Sequence, residues 1–168
     1  MPSVGAHEIA ELVDLHGAAL QLYATQWTDA PEDCVQEAFV ELASQPQRPQ
    51  YVVAWLYQVV RNRAHNAARA ARRRAHHEQL AAFRNASRQT SEFSSDEKRS
   101  LPEALTKLNA ESREIVVLRI WSGLTWKQIA KLTNTSSSSA QRRYVAALAD
   151  LRKQLEPSCE TNPTCRPN

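Results

Sequence analysis

Hydrophobic residues recur along most of this chain at the three- and four-residue spacing of amphipathic helices. The pattern predicts a helix over residues 6–26 and a second helix that starts at residues 29–31, where Asp29 is a candidate N-cap and Pro31 suits the first turn. Two prolines within residues 44–49 must interrupt this second helix. A third helix is predicted over residues 50–73, with a weaker continuation over residues 75–84.

Four further helices are predicted in the C-terminal part of the chain. Residues 101–108 predict a short helix with one apolar face. Residues 109–121 predict a longer helix, which ends at a Ser-Gly pair. Residues 126–132 predict another short helix, which a polar turn separates from a long helix over residues 137–155. A short helix, a tight turn and a longer helix with a polar N-terminal end indicate a helix-turn-helix unit.

The segment between these two groups of helices has a different composition. Residues 85–100 are polar, rich in serine and nearly free of aliphatic side chains. Such a segment cannot bury enough apolar area to offset the entropy lost on ordering, so we expect a flexible linker. The prediction is therefore two small domains, residues 1–84 and residues 101–156, followed by a disordered Pro-rich tail over residues 157–168.

Composition supports an all-α fold and excludes several classes of protein. Only 3 glycines occur among 168 residues, too few for many tight hairpins. No apolar run approaches the roughly 20 residues of a membrane span, and the N-terminus lacks the basic cluster of a secretory signal. We therefore expect a cytoplasmic protein with no membrane span. Cys34 lies on an apolar stripe and is expected to be buried, whereas a redox or metal role for Cys159 and Cys165 stays open.

Charge is strongly segregated along the N-terminal part. Residues 1–44 contain eight acidic side chains and neither Lys nor Arg, whereas residues 45–84 contain eight arginines and one acid. An acidic surface beside a basic one suggests two different partners, of which one is a nucleic acid. The alternative is a pair of solvated helix faces with no binding role.

Several motifs resemble those of bacterial RNA polymerase sigma factors of the sigma-70 family, extracytoplasmic-function subgroup. Residues 118–130 (LRIWSGLTWKQIA) and the preceding residues 105–119 are similar to the fourth conserved region, which recognises the upstream promoter element. Residues 31–42 (PEDCVQEAFVEL) and 54–69 (AWLYQVVRNRAHNAAR) are similar to the second region. That region docks on the core polymerase, and it recognises and opens the downstream element.

The resemblance implies three sets of binding residues. The polymerase set comprises Asp33, Gln36, Glu37 and Glu41, on one face of the second helix. The downstream set comprises Trp55, Arg61, Asn62, Arg63, Asn66 and Arg69, which offer phosphate and base-edge contacts, beside a loop over residues 44–51 that would hold a flipped base. The upstream set comprises Thr125, Lys127, Ser138, Ser139, Gln141, Arg142 and Arg143, at the helix-turn-helix.

The implied partners are core RNA polymerase and promoter DNA, and an anti-sigma protein is a further candidate whose existence the sequence does not reveal. The competing hypothesis is a stand-alone helix-turn-helix regulator that never contacts polymerase. A hydrolase or nuclease is a third hypothesis, but the sequence shows no carboxylate cluster with metal-ligand spacing, no nucleophile–base arrangement and no Gly-rich phosphate loop. We therefore expect no enzymatic activity, no metal and no cofactor.

Overall fold

The computed structural model describes residues 3–82 and 101–155, and these residues form seven α-helices and no strand. The all-α prediction is therefore confirmed for the described part of the chain. The helices are α1 (Ala6–Ala24), α2 (Pro31–Ala43), α3 (Val52–Ala82), α4 (Leu101–Lys107), α5 (Ala110–Trp121), α6 (Trp126–Leu132) and α7 (Ser137–Leu155).

Two local predictions about the N-terminal helices were wrong. Helix α3 does not end near Arg73 but runs without a break to Ala82, over the segment predicted as a weaker continuation, because no Gly or Pro lies between Val52 and Ala82 to interrupt it. Pro31 does occupy the first turn of α2, but the N-cap is Ala30, which provides no side-chain hydrogen bond. Asp29 therefore does not cap this helix.

The first three helices pack against one another around an apolar and aromatic core. The side chains of Leu20, Ala38, Leu42, Leu56 and Val60 are fully buried there. Tyr57 of α3 is also fully buried. Its ring makes an edge contact with Tyr23 at a centroid distance of 5.1 Å, so Tyr57 belongs to the core in this arrangement.

The last four helices have two notable connections. Arg113 of α5 donates hydrogen bonds of 2.9 Å to the carbonyls of Leu105, Thr106 and Leu108, and so satisfies the C-terminal end of α4. Gly123, between α5 and α6, has φ of +68°, the left-handed conformation that a residue without Cβ adopts at little cost. The predicted role of this glycine is confirmed.

The N-terminal half (residues 3–82) and the C-terminal half (residues 101–155) pack against each other. Helix α5 contacts α1, helix α6 contacts α3, and one buried cluster includes residues of both halves. The predicted linker and tail lie outside the described residues, as do Cys159 and Cys165, so the domain bounds stay a prediction. Cys34 is buried as expected. None of the described helices is long and apolar enough to cross a membrane.

Candidate protein and nucleic-acid interfaces

Helix α2 presents a polar face to solvent. Asp33, Gln36 and Glu37 are exposed, whereas Ala38 and Phe39 on the opposite side are buried, so these three polar residues share the face that their spacing predicts. Glu41 extends this face by one turn and is partly covered. We call Asp33, Gln36, Glu37 and Glu41 the acidic face of α2.

One exposed apolar residue lies within the acidic face and was missed in the sequence. Val40 is 66% exposed, although the preceding residue, Phe39, is buried. An exposed valine among carboxylates gives a docking surface both apolar area and charge. Its helical register beside Gln36 and Glu37 was the signal available in the sequence.

Arg63 connects the acidic face to the downstream set. Its Nη1 atom donates to Oε2 of Glu37, and its Nη2 atom donates to Oε2 of Glu41 at 2.6 Å. The hydrogen bond that Arg63 donates to Glu41 and the charge of both carboxylates raise the pKa of Arg63 despite partial desolvation. Two of the four residues expected to bind polymerase are thus paired with one residue expected to bind DNA.

The rest of the downstream set divides into exposed and partly covered side chains. Asn62, Asn66 and Arg69 are exposed along α3. Arg61 and Trp55 are partly covered, because both face the C-terminal half. The structure therefore brings only part of this set to the free surface.

A buried carboxylate joins the two halves at Arg61. Glu114 of α5 is 6% exposed and accepts hydrogen bonds from the Tyr23 hydroxyl at 2.6 Å and from Arg61 Nε at 2.7 Å, both on Oε1. Burial raises the pKa of Tyr23 well above its ordinary value, and the negative charge of Glu114 raises it further, so the phenol stays protonated and donates. Desolvation opposes the charge on Arg61, but the hydrogen bond and charge of Glu114 outweigh it and raise the pKa of Arg61.

Glu114 was not among the residues predicted to have a role. It lies 53 positions from Arg61 in the chain and 91 from Tyr23, so only the packing of the two halves brings the three together. The available signal was an acid within the apolar run of α5, next to Ile115 and Val116. A charge at such a position must find a partner when the helix is buried.

A groove of about 580 Å³ lies between the start of α3 and α6. Tyr51 and Trp55 line one side, while Thr125, Lys127 and Lys131 line the other. Trp55 was expected at the downstream element, and Thr125 and Lys127 at the upstream element. The structure places all three on the same groove.

The helix-turn-helix consists of α6, residues 133–136 and α7. Thr125 and Gln128 form a reciprocal capping box at the start of α6: the Thr125 amide donates to Gln128 Oε1 at 2.8 Å, and the Gln128 amide donates to Thr125 Oγ1 at 3.4 Å. The turn contains Asn134 with φ of 53°. Ser136 Oγ accepts a hydrogen bond from the Ser139 amide at 3.1 Å, so it caps the start of α7.

The upstream set is mostly exposed at the N-terminal end of α7. Ser138, Gln141 and Arg142 are open to solvent, and Arg142 Nη2 donates to Ser139 Oγ at 3.3 Å. Arg143 is also exposed, but its Nη1 atom lies 2.6 Å from Oε2 of Glu111 on α5. Donors and acceptors suited to base edges and phosphates therefore lie together at the end of a helix that can enter a major groove.

Two family models match the two halves of this arrangement. Residues 10–74 match the model for sigma-70 region 2, and residues 98–151 match the model for sigma-70 region 4. Together these matches cover most of the chain. The chain belongs to the sigma-70 family of RNA polymerase sigma factors. Region 2 includes the acidic face of α2 and the downstream set, and region 4 includes the helix-turn-helix.

One curated relative in the sigma-70 family is similar over most of this chain. It is a probable RNA polymerase sigma factor, RfaY, of Xanthomonas campestris pv. campestris, 29% identical over 147 residues. The match covers 82% of this chain and 37% of that protein, so the chain spans little more than a third of the length of this relative. The sigma-70 family is not a class of enzymes, and the described residues contain no group of three His, Cys, Asp or Glu side chains arranged to hold a metal ion.

Solved sigma factors share the overall fold. The sigma factor RpoE of Bartonella quintana, crystallised with the anti-sigma factor NepR, aligns with a TM-score of 0.58 at 20% identity, covering 89% of this chain and 96% of RpoE. CnrH, in complex with the cytosolic domain of CnrY, aligns with a TM-score of 0.57 at 26% identity, covering 90% of this chain and 89% of CnrH.

Proposed function

We propose that this sigma-70 family chain binds core RNA polymerase and directs it to promoters by recognising an upstream and a downstream DNA element. The observation on which this proposal depends is the acidic face of α2, present on the same chain as the helix-turn-helix. A helix-turn-helix alone is compatible with a stand-alone regulator. A solvent-facing acidic stripe one helix away from a DNA-binding surface is suited to a second, basic protein partner.

The proposed function proceeds in three steps. The acidic face of α2 docks on the polymerase, and the exposed end of α7 then binds the upstream duplex. The exposed face of α3 and the loop over residues 44–51 hold the melted downstream strand through phosphate contacts and base stacking. Binding free energy opens the DNA, so no catalytic residue is required of this chain. We place this activity in the cytoplasm, where the polymerase and its promoters are.

An anti-sigma protein belongs among the proposed partners. The RpoE neighbour was crystallised with its anti-sigma factor, and the CnrH neighbour was solved with a domain of CnrY. The groove between α3 and α6 has aromatic side chains and two lysines on its walls, which suit an amphipathic segment with acidic residues.

Replacement of the exposed part of the acidic face tests the proposal. The triple variant Asp33→Ala, Gln36→Ala, Glu37→Ala removes charge and hydrogen-bonding groups without touching the buried side of α2. We expect it to lose measurable binding to purified core polymerase in a pull-down assay, with an unchanged helical circular-dichroism spectrum.

A matched control removes the same number of acids from another helix. Glu11→Ala with Asp14→Ala changes two exposed acids of α1 and should leave polymerase binding at the wild-type level. Polymerase binding that survives the triple change would show that the acidic face of α2 is not the docking surface, whereas a wild-type chain that does not bind polymerase at all would favour the stand-alone regulator.

A further inference from the structure

The contact between the two halves includes a group that is expensive to bury alone. Glu114 belongs to region 4, and both of its hydrogen-bond donors, Tyr23 and Arg61, belong to region 2. If the halves separate, water must replace these donors around the carboxylate. When the halves separate, hydration of the freed charges recovers much of the interaction free energy that the buried ion pair loses. The contact therefore fixes how the two surfaces pack, but it can be broken at moderate cost.

The same contact engages residues of the downstream set. Arg61 is bound to Glu114, and Trp55 faces the groove shared with Thr125 and Lys127. The N-terminal end of α7, in contrast, remains exposed at Ser138, Gln141 and Arg142. Closure of the two halves therefore covers Arg61 and Trp55 of the downstream surface and leaves the N-terminal end of α7 accessible.

We propose that Tyr23, Arg61 and Glu114 form a latch that holds the free chain in a closed form, in which the downstream DNA surface is masked at Arg61 and Trp55 while the N-terminal end of α7 stays accessible. Masking of that particular surface rests on the proposed function, whereas closure itself does not. The free chain then binds a single strand weakly because only the small open fraction is competent. Release of the latch exposes Arg61 and Trp55.

A distance measurement tests closure independently of any DNA or polymerase. Cysteines for spin labels are introduced at two exposed positions, Ala43→Cys on α2 and Ala146→Cys on α7. The changes Cys159→Ser and Cys165→Ser remove two other cysteines that would react with the label. Glu114→Gln keeps the shape of the side chain but removes the charge that pairs with Arg61. We expect this variant to add a population with a longer distance between the labels, detected by double electron–electron resonance.

Two further variants make the distance result decisive. Glu111→Gln removes a carboxylate from the same helix that pairs with Arg143 within the C-terminal half, and it should leave the distance distribution unchanged. Arg61→Met, which keeps the aliphatic volume and leaves Glu114 without its cation, should open the chain as Glu114→Gln does. An unchanged distribution in both latch variants would overturn the proposal.

Binding to a short mixed-sequence single-stranded DNA tests the masking. We expect Glu114→Gln to bind this strand roughly tenfold more tightly than the wild type, because the competent fraction rises. Binding to mixed-sequence duplex through α7 should stay within about twofold, since no basic residue is added or lost. The double variant Glu114→Gln, Arg61→Ala should lose the gain. If the labels separate but affinity for the strand does not rise, the latch holds the halves without masking DNA.

Discussion

At the scale of single residues, the arginines of this chain have internal partners that their sequence context does not reveal. Three arginines expected to bind DNA are paired with carboxylates: Arg61 with Glu114, Arg63 with Glu37 and Glu41, and Arg143 with Glu111. The partners of Arg61 and Arg63 are at least 22 positions away in the chain, so no local pattern predicts them. Arg142 is exposed and donates to the Ser139 hydroxyl, so its guanidinium, unlike that of Arg143, need not leave a carboxylate to reach DNA.

We predict that Arg142→Ala weakens binding of the holoenzyme to its upstream element by about 1–3 kcal/mol if the guanidinium binds a base edge on two atoms. Arg143→Ala should cost less, because its side chain must first leave Glu111. Lys153→Ala, at the far end of α7, serves as the control. Mobility-shift titrations on matched and mutated elements measure these differences, and an equal loss on all sequences would assign Arg142 to phosphate contact instead.

At the scale of the elements, hydrophobic periodicity predicted all seven helices, and the errors concern their ends. Helix α3 joins the predicted helix and its predicted weaker continuation into one, because arginines near residue 73 favour a helix C-terminus without enforcing one. The polar face of α2 and the helix-turn-helix were both predictable, since each depends on spacing within one or two neighbouring helices. Thr125 shows a limit of this reasoning, because a residue expected at DNA also has a structural hydrogen-bonding role in the capping box.

We predict that Thr125→Ala lowers the free energy of unfolding by about 1 kcal/mol, because the start of α6 loses its cap. Thr125→Ser preserves the hydroxyl and should retain both stability and upstream-element binding. Urea unfolding followed by circular dichroism measures the first quantity. A Thr125→Ala variant with wild-type stability and weakened DNA binding would show that the hydroxyl contacts DNA directly.

At the scale of the whole molecule, the contact between the two halves is the feature that the sequence did not indicate. The serine-rich segment predicts two domains but not how they pack, and in the structure helices α1 and α3 pack against α5 and α6 around shared buried residues. Sequence patterns identify which faces are apolar but not which apolar faces meet across a long connection. The acidic and basic segregation of the N-terminal half also has a partly internal explanation, because Arg63 forms ion pairs with Glu37 and Glu41 of α2.

Run-off transcription with added core polymerase tests the proposed function of the whole chain most directly. Purified core polymerase should yield discrete run-off transcripts from a pool of genomic fragments only when the chain is present, and the triple variant of α2 should not support them. The account is contradicted if the chain leaves the products of core polymerase unchanged while it binds intact duplex sites specifically by itself.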